Sequence, residues 1–455
     1  LQQLSLSAEQ LALFEYIENE DTNIFVTGRA GTGKSTLLTH LVENTKKKVA
    51  VAGSTGVAAY NVGGQTLHSL LGVPPGLLGN QELKHHLGQR SREVLRAIDM
   101  LVIDEISMVN ADLMDAIEGM LSLARGRAKG PFGGVQIVMF GDPYQLAPVP
   151  PSDPAERQYL AEKYRSHWFF DAHCWDKAPL ERYELHENFR QSDPEFIEIL
   201  NAIRDGSCSQ EMLDALNAMG NKFPKDLETI RLATTNATVD KVNAQRLASI
   251  PGMPANIPAD VPIGELKQFG KNPPGDPNLV LKVGAQVMFI KNDDQNTKKN
   301  DGPMLRRWVN GTLGKVVSIK NQDHIVVDVE GEEIEVGRST WEKIRYELSE
   351  DFDEITQRFK ETIVPVTMAE FRQVPLRLAW AVTIHKSQGL TYDEIVVDMG
   401  NRAFSPGQTY VALSRVKSPA GLHLTRRIEM ADVIVDQDVV RFMTEGRGPS
   451  FDKLV

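Results

Sequence analysis

The chain has 455 residues, room for about three domains, and its 41% hydrophobic and 24% charged residues exclude a wholly disordered or low-complexity chain. A formal charge of −11 excludes a bulk-basic nucleic-acid binder, so any such contact must use a local positive track on an acidic body. Only two cysteines occur, Cys174 and Cys208, which excludes a disulfide framework or a cysteine zinc site and points to a reducing, cytoplasmic setting.

No apolar run is long enough to span a membrane. Leu1–Gln10 lacks the basic-then-apolar pattern of a signal peptide, and with no organelle-targeting segment visible a bacterial cytosol is expected. The first residue is Leu rather than Met, as in a trimmed piece of a longer chain.

From the start, short apolar runs alternate with helical stretches, the pattern of a parallel sheet covered by helices. Strands are expected at Ile24–Thr27, Val49–Gly53, Leu101–Ile103 and Gln136–Phe140. The run Lys46–Lys48 reads as a solvated helix end. Two inserts, Gly72–Asn80 and the proline-rich Pro148–Pro154, cannot be central strands. A second α/β block is expected to open near Glu181, with a helix at Pro194–Arg204 and a strand at Thr229–Thr235. Seven prolines and four glycines between Ile250 and Leu279 exclude regular helix or central strand there. Short β segments follow at Leu279–Ile290, Gly311–Ile319, His324–Val329 and Glu332–Val336, predicting a small antiparallel barrel of SH3-like size inserted into the second block. The α/β pattern resumes at Val374, with strands at Leu376–Ala381, Glu394–Met399 and Leu422–Thr425.

The segment Gly28-Arg29-Ala30-Gly31-Thr32-Gly33-Lys34-Ser35 fits G-x-x-x-x-G-K-[ST], after an apolar strand and before a helix whose Leu37, Leu38, Leu41 and Val42 share one face. Backbone N–H groups of such a loop, with Ala30, Thr32 and Thr36 in or beside it, curl around phosphate oxygens at a helix N-terminus. Lys34 is expected at the β/γ-phosphates, and the Ser35 hydroxyl on Mg²⁺. Leu101-Val102-Ile103-Asp104-Glu105 is a buried strand ending in two carboxylates, where sites in open α/β sheets form. Asp104 is expected to bind Mg²⁺ and Glu105 to deprotonate the attacking water. The chemistry expected is hydrolysis of a nucleoside triphosphate with Mg²⁺ rather than nucleotide storage.

Further segments carry a family likeness: VAGSTGVAA (Val51–Ala59), GGQTLHS (Gly63–Ser69), GDPYQLAPV (Gly141–Val149), LHENFRQ (Leu185–Gln191), AWAVTIHKSQGLT (Ala379–Thr391) and TYVALSRV (Thr409–Val416). In this order they resemble motifs Ia, Ib, III, IV, V and VI of superfamily-one DNA helicases, most nearly the Pif-type (petite integration frequency) helicases and their RecD-like relatives. Glu105–Arg125 resembles part of the Pif-type signature, while Pro143 and Ala147 depart from the family's usual motif III residues.

The resemblance implies an α/β fold of two RecA-like P-loop NTPase domains. Domain 1 covers 1–178, with a wedge insert near 70–90. Domain 2 is split into 179–249 and 367–455 around an SH3-like β-barrel insert at 250–366. By the same resemblance, Gln10 reads adenine, Gln145 senses the γ-phosphate, Gly389 faces that phosphate, and Arg190 and Arg415 reach it from the second block. Single-stranded DNA is implied to cross both domains, with 5′→3′ unwinding of forks, G-quadruplexes and RNA–DNA hybrids among the structures admitted, by a chain able to act as a monomer.

Thr55, Gly56, Thr66, His68, Thr383, His385 and Lys386 suit a track for phosphate oxygens without reading sequence, though each taken singly also fits a cap or surface residue. Trp308 and Tyr410 could stack bases, whereas Trp380 fits the core. Leu71, Val73, Leu77 and Leu78 could press on a duplex junction or simply cover the sheet edge. Two alternatives stay open: a RecD-like subunit of a larger nuclease complex, and an NTP-gated RNA- or DNA-binding ATPase.

Overall fold

The computed structural model describes residues 6–445 apart from 75, 79–82, 127–128, 152, 179, 221–227, 271–272, 294–306 and 354–357. Parts of the expected N-terminal segment, of both inserts and of the 250–366 unit therefore lie outside the described residues. The first domain is built on six parallel strands: β1 (Asn23–Gly28), β2 (Val49–Gly53), β3 (Gln65–Thr66), β4 (Met100–Asp104), β5 (Gln136–Phe140) and β6 (Leu180–Leu185), in the spatial order β3-β2-β4-β5-β1-β6. β1 and β5 are buried along their whole length, as expected of central parallel strands covered on both faces.

Helices α1 (Ala8–Asn19) and α2 (Lys34–Asn44) cover one face with Leu13, Ile17, Leu37, Leu38 and Leu41. Each such side chain contributes about 1.5–3 kcal/mol by leaving water. Ser7 and Gln10 form a capping box that starts α1. The opposite face packs against the long helix Ala111–Arg125 and the aromatic residues Trp168, Phe169 and Phe170.

The second domain has a four-stranded parallel sheet in the order Ala381–Thr383, Arg231–Ala233, Ile395–Asp398, Leu422–Leu424. Between its parts lies a five-stranded antiparallel sheet in the order Glu332–Val336, His324–Val329, Leu313–Asn321, Gln286–Phe289, Leu376–Leu378. The chain is therefore a mixed α/β protein of two RecA-like domains with accessory β insertions.

Several expected boundaries change. Leu180–Leu185 pairs in parallel with β1, so the strand at Glu181 completes the first sheet rather than opening the second block, and domain 1 extends past 178. Leu279–Ile290 splits into Asn278–Leu281 and Gln286–Phe289, which join different sheets because the chain turns between them. A long hairpin, Ser339–Asp353 with Arg358–Gln373, fills the region before 374. Leu376–Leu378 then belongs to the inserted sheet, so the second part of domain 2 begins after it rather than at 367. The Pro-rich stretch forms only short strands, Ala255–Pro258 in a two-stranded sheet and Asp260–Ile263 at the edge of the hairpin sheet.

Lys47 is no solvated helix end. Its ammonium donates to the Ile17 and Glu20 carbonyls and to Gln136 Oε1, tying the end of α1 to β5. Leu71, Val73 and Leu78 are buried in the first domain's core with Leu77 packed against it, and the Leu78 N–H donates to Asp112. They cover the sheet rather than present an apolar wedge.

Candidate functional site

The expected phosphate loop follows β1 and runs into α2, whose N-cap is Gly33 at φ 77°. Gly31, at φ 88°, could not carry a side chain: a Cβ there would stand 2.6 Å from the Cβ of Arg190. Ala30 and Thr32 are buried, Thr32 Oγ1 donating to the Arg29 carbonyl at 3.0 Å. Ser35 is exposed and Thr36 half-buried at the start of α2. The Lys34 ammonium donates to the Gly28 and Arg29 carbonyls at 2.5 and 3.0 Å, folded back on its own loop. Burial pushes its pKa down to about 8, opposed by the nearby Asp142 and Glu105 carboxylates.

Asp104 ends β4, next to β5 and two strands from β1, and Glu105 follows it in a left-handed conformation at φ 51°. Burial raises Asp104 to about 6, and burial with the adjacent Asp104 charge raises Glu105 to about 8. Asp142 follows β5 at the same carboxyl edge, and Gln145 Nε2 donates to it at 3.0 Å. Both carboxylates of the β4 end, the loop and motif III thus share one edge of the sheet, where ligands of open α/β sheets bind.

The second domain closes over that edge. The Ala30 N–H donates to the Tyr410 hydroxyl at 2.9 Å, and the Phe189 N–H to the Gly31 carbonyl at 2.9 Å. Gly407 allows a comparable approach, since a Cβ there would fall 1.8 Å from the Gln145 carbonyl. Arg415 is 1% exposed and donates to the carbonyl of Val411 and to Ser414 Oγ. Arg190 donates to the Ser414 carbonyl at 3.1 Å. Among the described residues neither guanidinium has a carboxylate within ion-pair distance. Burial and the neighbouring Arg190 lower Arg415 to about 9, and burial lowers Arg190 as well. Two half- or fully buried cations beside Lys34, without a carboxylate of their own, fit a polyanion such as a triphosphate, because a buried charge is stable only when it is paired.

Gln10 is buried, and both ends of its amide are engaged. Its Oε1 accepts the Ser7 N–H, and its Nε2 donates to the Thr32 and Gly33 carbonyls. The helix-cap role and contact with the loop are thus both realised, and reading a base would require the amide to let go. Gly389 adopts φ 78° on the motif V loop.

The sequence reading missed Gln388, whose Nε2 donates to Glu105 Oε2 at 3.0 Å and to Gln145 Oε1 at 3.4 Å. It lies within a quoted motif, so its amide beside Gly389 was the available signal. Also missed were Phe189, 56% exposed with its ring 3.6 Å from where a Gly33 Cβ would be, and Arg204, for which no motif spoke.

The expected strand track divides in two. Thr55, Gly56, Thr66 and His68 line one cavity of about 550 Å³ together with Lys343 of the long hairpin, another residue the sequence did not single out. Thr383 ends a strand of the second sheet, His385 and Lys386 follow it, and none of the three lines that cavity. Thr55 and Thr66 cap short helices by accepting the Ala58 and Ser69 N–H groups, and Thr383 accepts from Lys386 N–H, so their hydroxyls already serve the local backbone. Burial lowers the His68 pKa and so favours its neutral imidazole. No group of His, Cys, Asp and Glu among the described residues has metal-site geometry. Trp308 stacks on Phe289 at 4.5 Å inside the inserted sheet's core, and Tyr410 is 2% exposed, so neither is open to a base; Trp380 is core as expected. No helix among the described residues is long and apolar enough to cross a membrane.

Residues 5–214 match the family model described as PIF1-like helicase. The chain is 32% identical to the ATP-dependent DNA helicase Pif1 of Bdellovibrio bacteriovorus, over 98% of this chain and 93% of that protein. It is 35% identical to the ATP-dependent DNA helicase PIF1 of Rattus norvegicus over 98% of its own length, but spans only 66% of that longer protein. Among solved structures, Pif1 of Bacteroides sp. in complex with ADP-AlF4 superposes with a TM-score of 0.85 at 35% identity, covering 98% of this chain and 100% of that one. Bacteroides Pif1 bound to ssDNA gives 0.67 at 35% identity, covering 97% of each chain.

Proposed function

The chain belongs to the PIF1-like helicase family, and from that membership and the geometry of its cleft we infer that it is an ATP-dependent DNA helicase acting on single-stranded and forked DNA. The observation that carries this reading is the pair Arg190 and Arg415, held by the second domain against the loop of the first without carboxylates of their own.

In this reading the loop amides and Lys34 bind the triphosphate, and Ser35 with Asp104 would hold Mg²⁺, whose charge would offset that of the phosphates. Gln10 meets the adenine edge after releasing its carbonyl partners, and the exposed Phe189 offers the base a flat apolar face. Glu105, at the strand end beside the loop, takes the proton of the attacking water. Arg190 and Arg415 stabilise the charge that develops on transfer, and a guanidinium presents the planar fork of donors this needs. When that charge leaves, the second domain loses its anionic partner and can open, which turns hydrolysis into domain motion.

DNA phosphates are taken up at Thr55, Gly56, Thr66, His68 and Lys343 on one side and at Thr383, His385 and Lys386 on the other, without base readout. Movement runs 5′→3′, with G-quadruplexes and RNA–DNA hybrids as further substrates, in a cytoplasmic setting and without need of a second copy. The test is ATP hydrolysis with single-stranded DNA and with RNA of the same sequence. DNA should stimulate turnover, and Lys34→Ala should abolish it while the protein stays folded, because among the described residues the Lys34 ammonium bonds only to its own loop. Unchanged turnover in Lys34→Ala would overturn the nucleotide site, and stimulation by RNA alone would overturn the substrate.

A further inference from the structure

A general base must turn its carboxylate toward water and keep its full basicity, whereas Glu105 Oε2 accepts the Gln388 amide at 3.0 Å, which fixes the carboxylate's orientation and draws on its charge. Among the described residues this is the only side-chain hydrogen bond that the Glu105 carboxylate makes. The same amide nitrogen lies 3.4 Å from Gln145 Oε1, so a single group from domain 2 engages both residues that must face the reacting phosphate. Gln388 is half-buried and sits two positions after Lys386, at the end of the turn His385–Ser387 that carries the second half of the strand track. On its other side is Gly389, exposed and left-handed at φ 78°, with no neighbouring atom where a Cβ would be. The Ser387 carbonyl meanwhile faces the Arg415 guanidinium at 3.5 Å, so motion of this turn is felt at both cleft residues. The chain's overall shape is also nearer to the relatives without a strand, at TM-scores of 0.85 with ADP-AlF4 and 0.81 unliganded, than to the one bound to ssDNA, at 0.67.

We propose that Gln388 is a positioning residue that latches Glu105 until a strand binds the 383–386 turn, whose displacement withdraws the amide and lets the carboxylate turn to water. DNA stimulation of hydrolysis is then release of an internal hydrogen bond rather than creation of a new catalytic group. This rests on Glu105 acting as the base.

The experiment is steady-state ATP hydrolysis by the full chain, with and without single-stranded DNA, for Gln388→Met and Gln388→Ala, with melting temperature measured alongside. Met keeps the length of the side chain and Ala removes it, so at least one is expected to fold. Without DNA, turnover should rise about tenfold, the scale of one hydrogen bond to a charged group. KM for ATP should hold, DNA-stimulated turnover should change little, and the stimulation ratio should therefore collapse. A merely structural contact would lower turnover rather than raise it. Unchanged or reduced DNA-free turnover in a folded variant overturns the latch. Glu105→Gln in the same assay separates the premise: if it retains turnover the base assignment itself fails, whereas if it is inactive and the Gln388 variants behave as the parent, only the latch fails.

Discussion

Arg204 of the second domain donates to Asp142 of the first at 3.0 Å, with both side chains almost wholly buried. The guanidinium also stands 4.5 Å over the Tyr144 ring and 3.6 Å from Glu184, so it pins motif III to the helix Pro194–Asp205. Burial alone would raise the Asp142 pKa, but Arg204 and Lys34 together hold it below the ordinary value. Without Arg204, Asp142 stays buried with the Gln145 amide and the Lys34 charge to offset it. Arg204→Met should therefore destabilise the chain by about 3–5 kcal/mol in denaturant titration. The pH dependence has a definite sign. A depressed carboxylate contributes stability that is full above its unfolded pKa of about 3.9 and is lost as pH falls through the lower native value. Asp142→Asn should flatten that acid loss; an equally steep acid transition would show that Asp142 is not its source.

Arg415→Ala tests the cleft. Guanidinium groups that stabilise transferring phosphoryl groups contribute on the order of 10³–10⁵ in turnover, so DNA-stimulated hydrolysis should fall at least about a hundredfold. ATP binding, measured by fluorescent-nucleotide titration, should weaken far less because the loop remains intact. Hydrolysis near the parental rate would refute the two-sided site.

Much of this site was legible because its signals are local. The phosphate loop, the Asp104–Glu105 strand end and the turns after strands are fixed by spacing and by glycines that no other residue replaces. What the sequence hid is non-local. Leu180–Leu185 carries Glu181, Arg182 and Glu184, as an edge strand can, so nothing in it declares which sheet it completes. The first strand of the long hairpin, Ser339–Asp353, mixes charges with isolated apolar residues and builds no hydrophobic run, so only Ile363–Val366 in the second strand hints at β structure there. Aromatic residues look alike whether they stack on bases or on one another, and Trp308 does the second. Arg204 and Gln388 matter through partners far away in sequence, which only folding supplies.

Binding to single strands should depend on salt in spite of the −11 charge. If about six phosphates are neutralised, log K should fall against log[salt] with a slope of roughly −4. Fluorescence anisotropy of a labelled oligonucleotide over a salt series measures this, and a flat response would mean that no backbone track exists. Lys343→Ala should make the slope shallower by about one contact.

The most direct measurement is unwinding of two forked substrates, one with a 5′ single-stranded tail and one with a 3′ tail, by the purified chain with ATP and Mg²⁺. The account predicts that the 5′-tailed duplex is opened and the 3′-tailed one is not, and that Arg415→Ala opens neither. Opening from the 3′ tail alone, or ATP hydrolysis with no unwinding of either substrate, would contradict it.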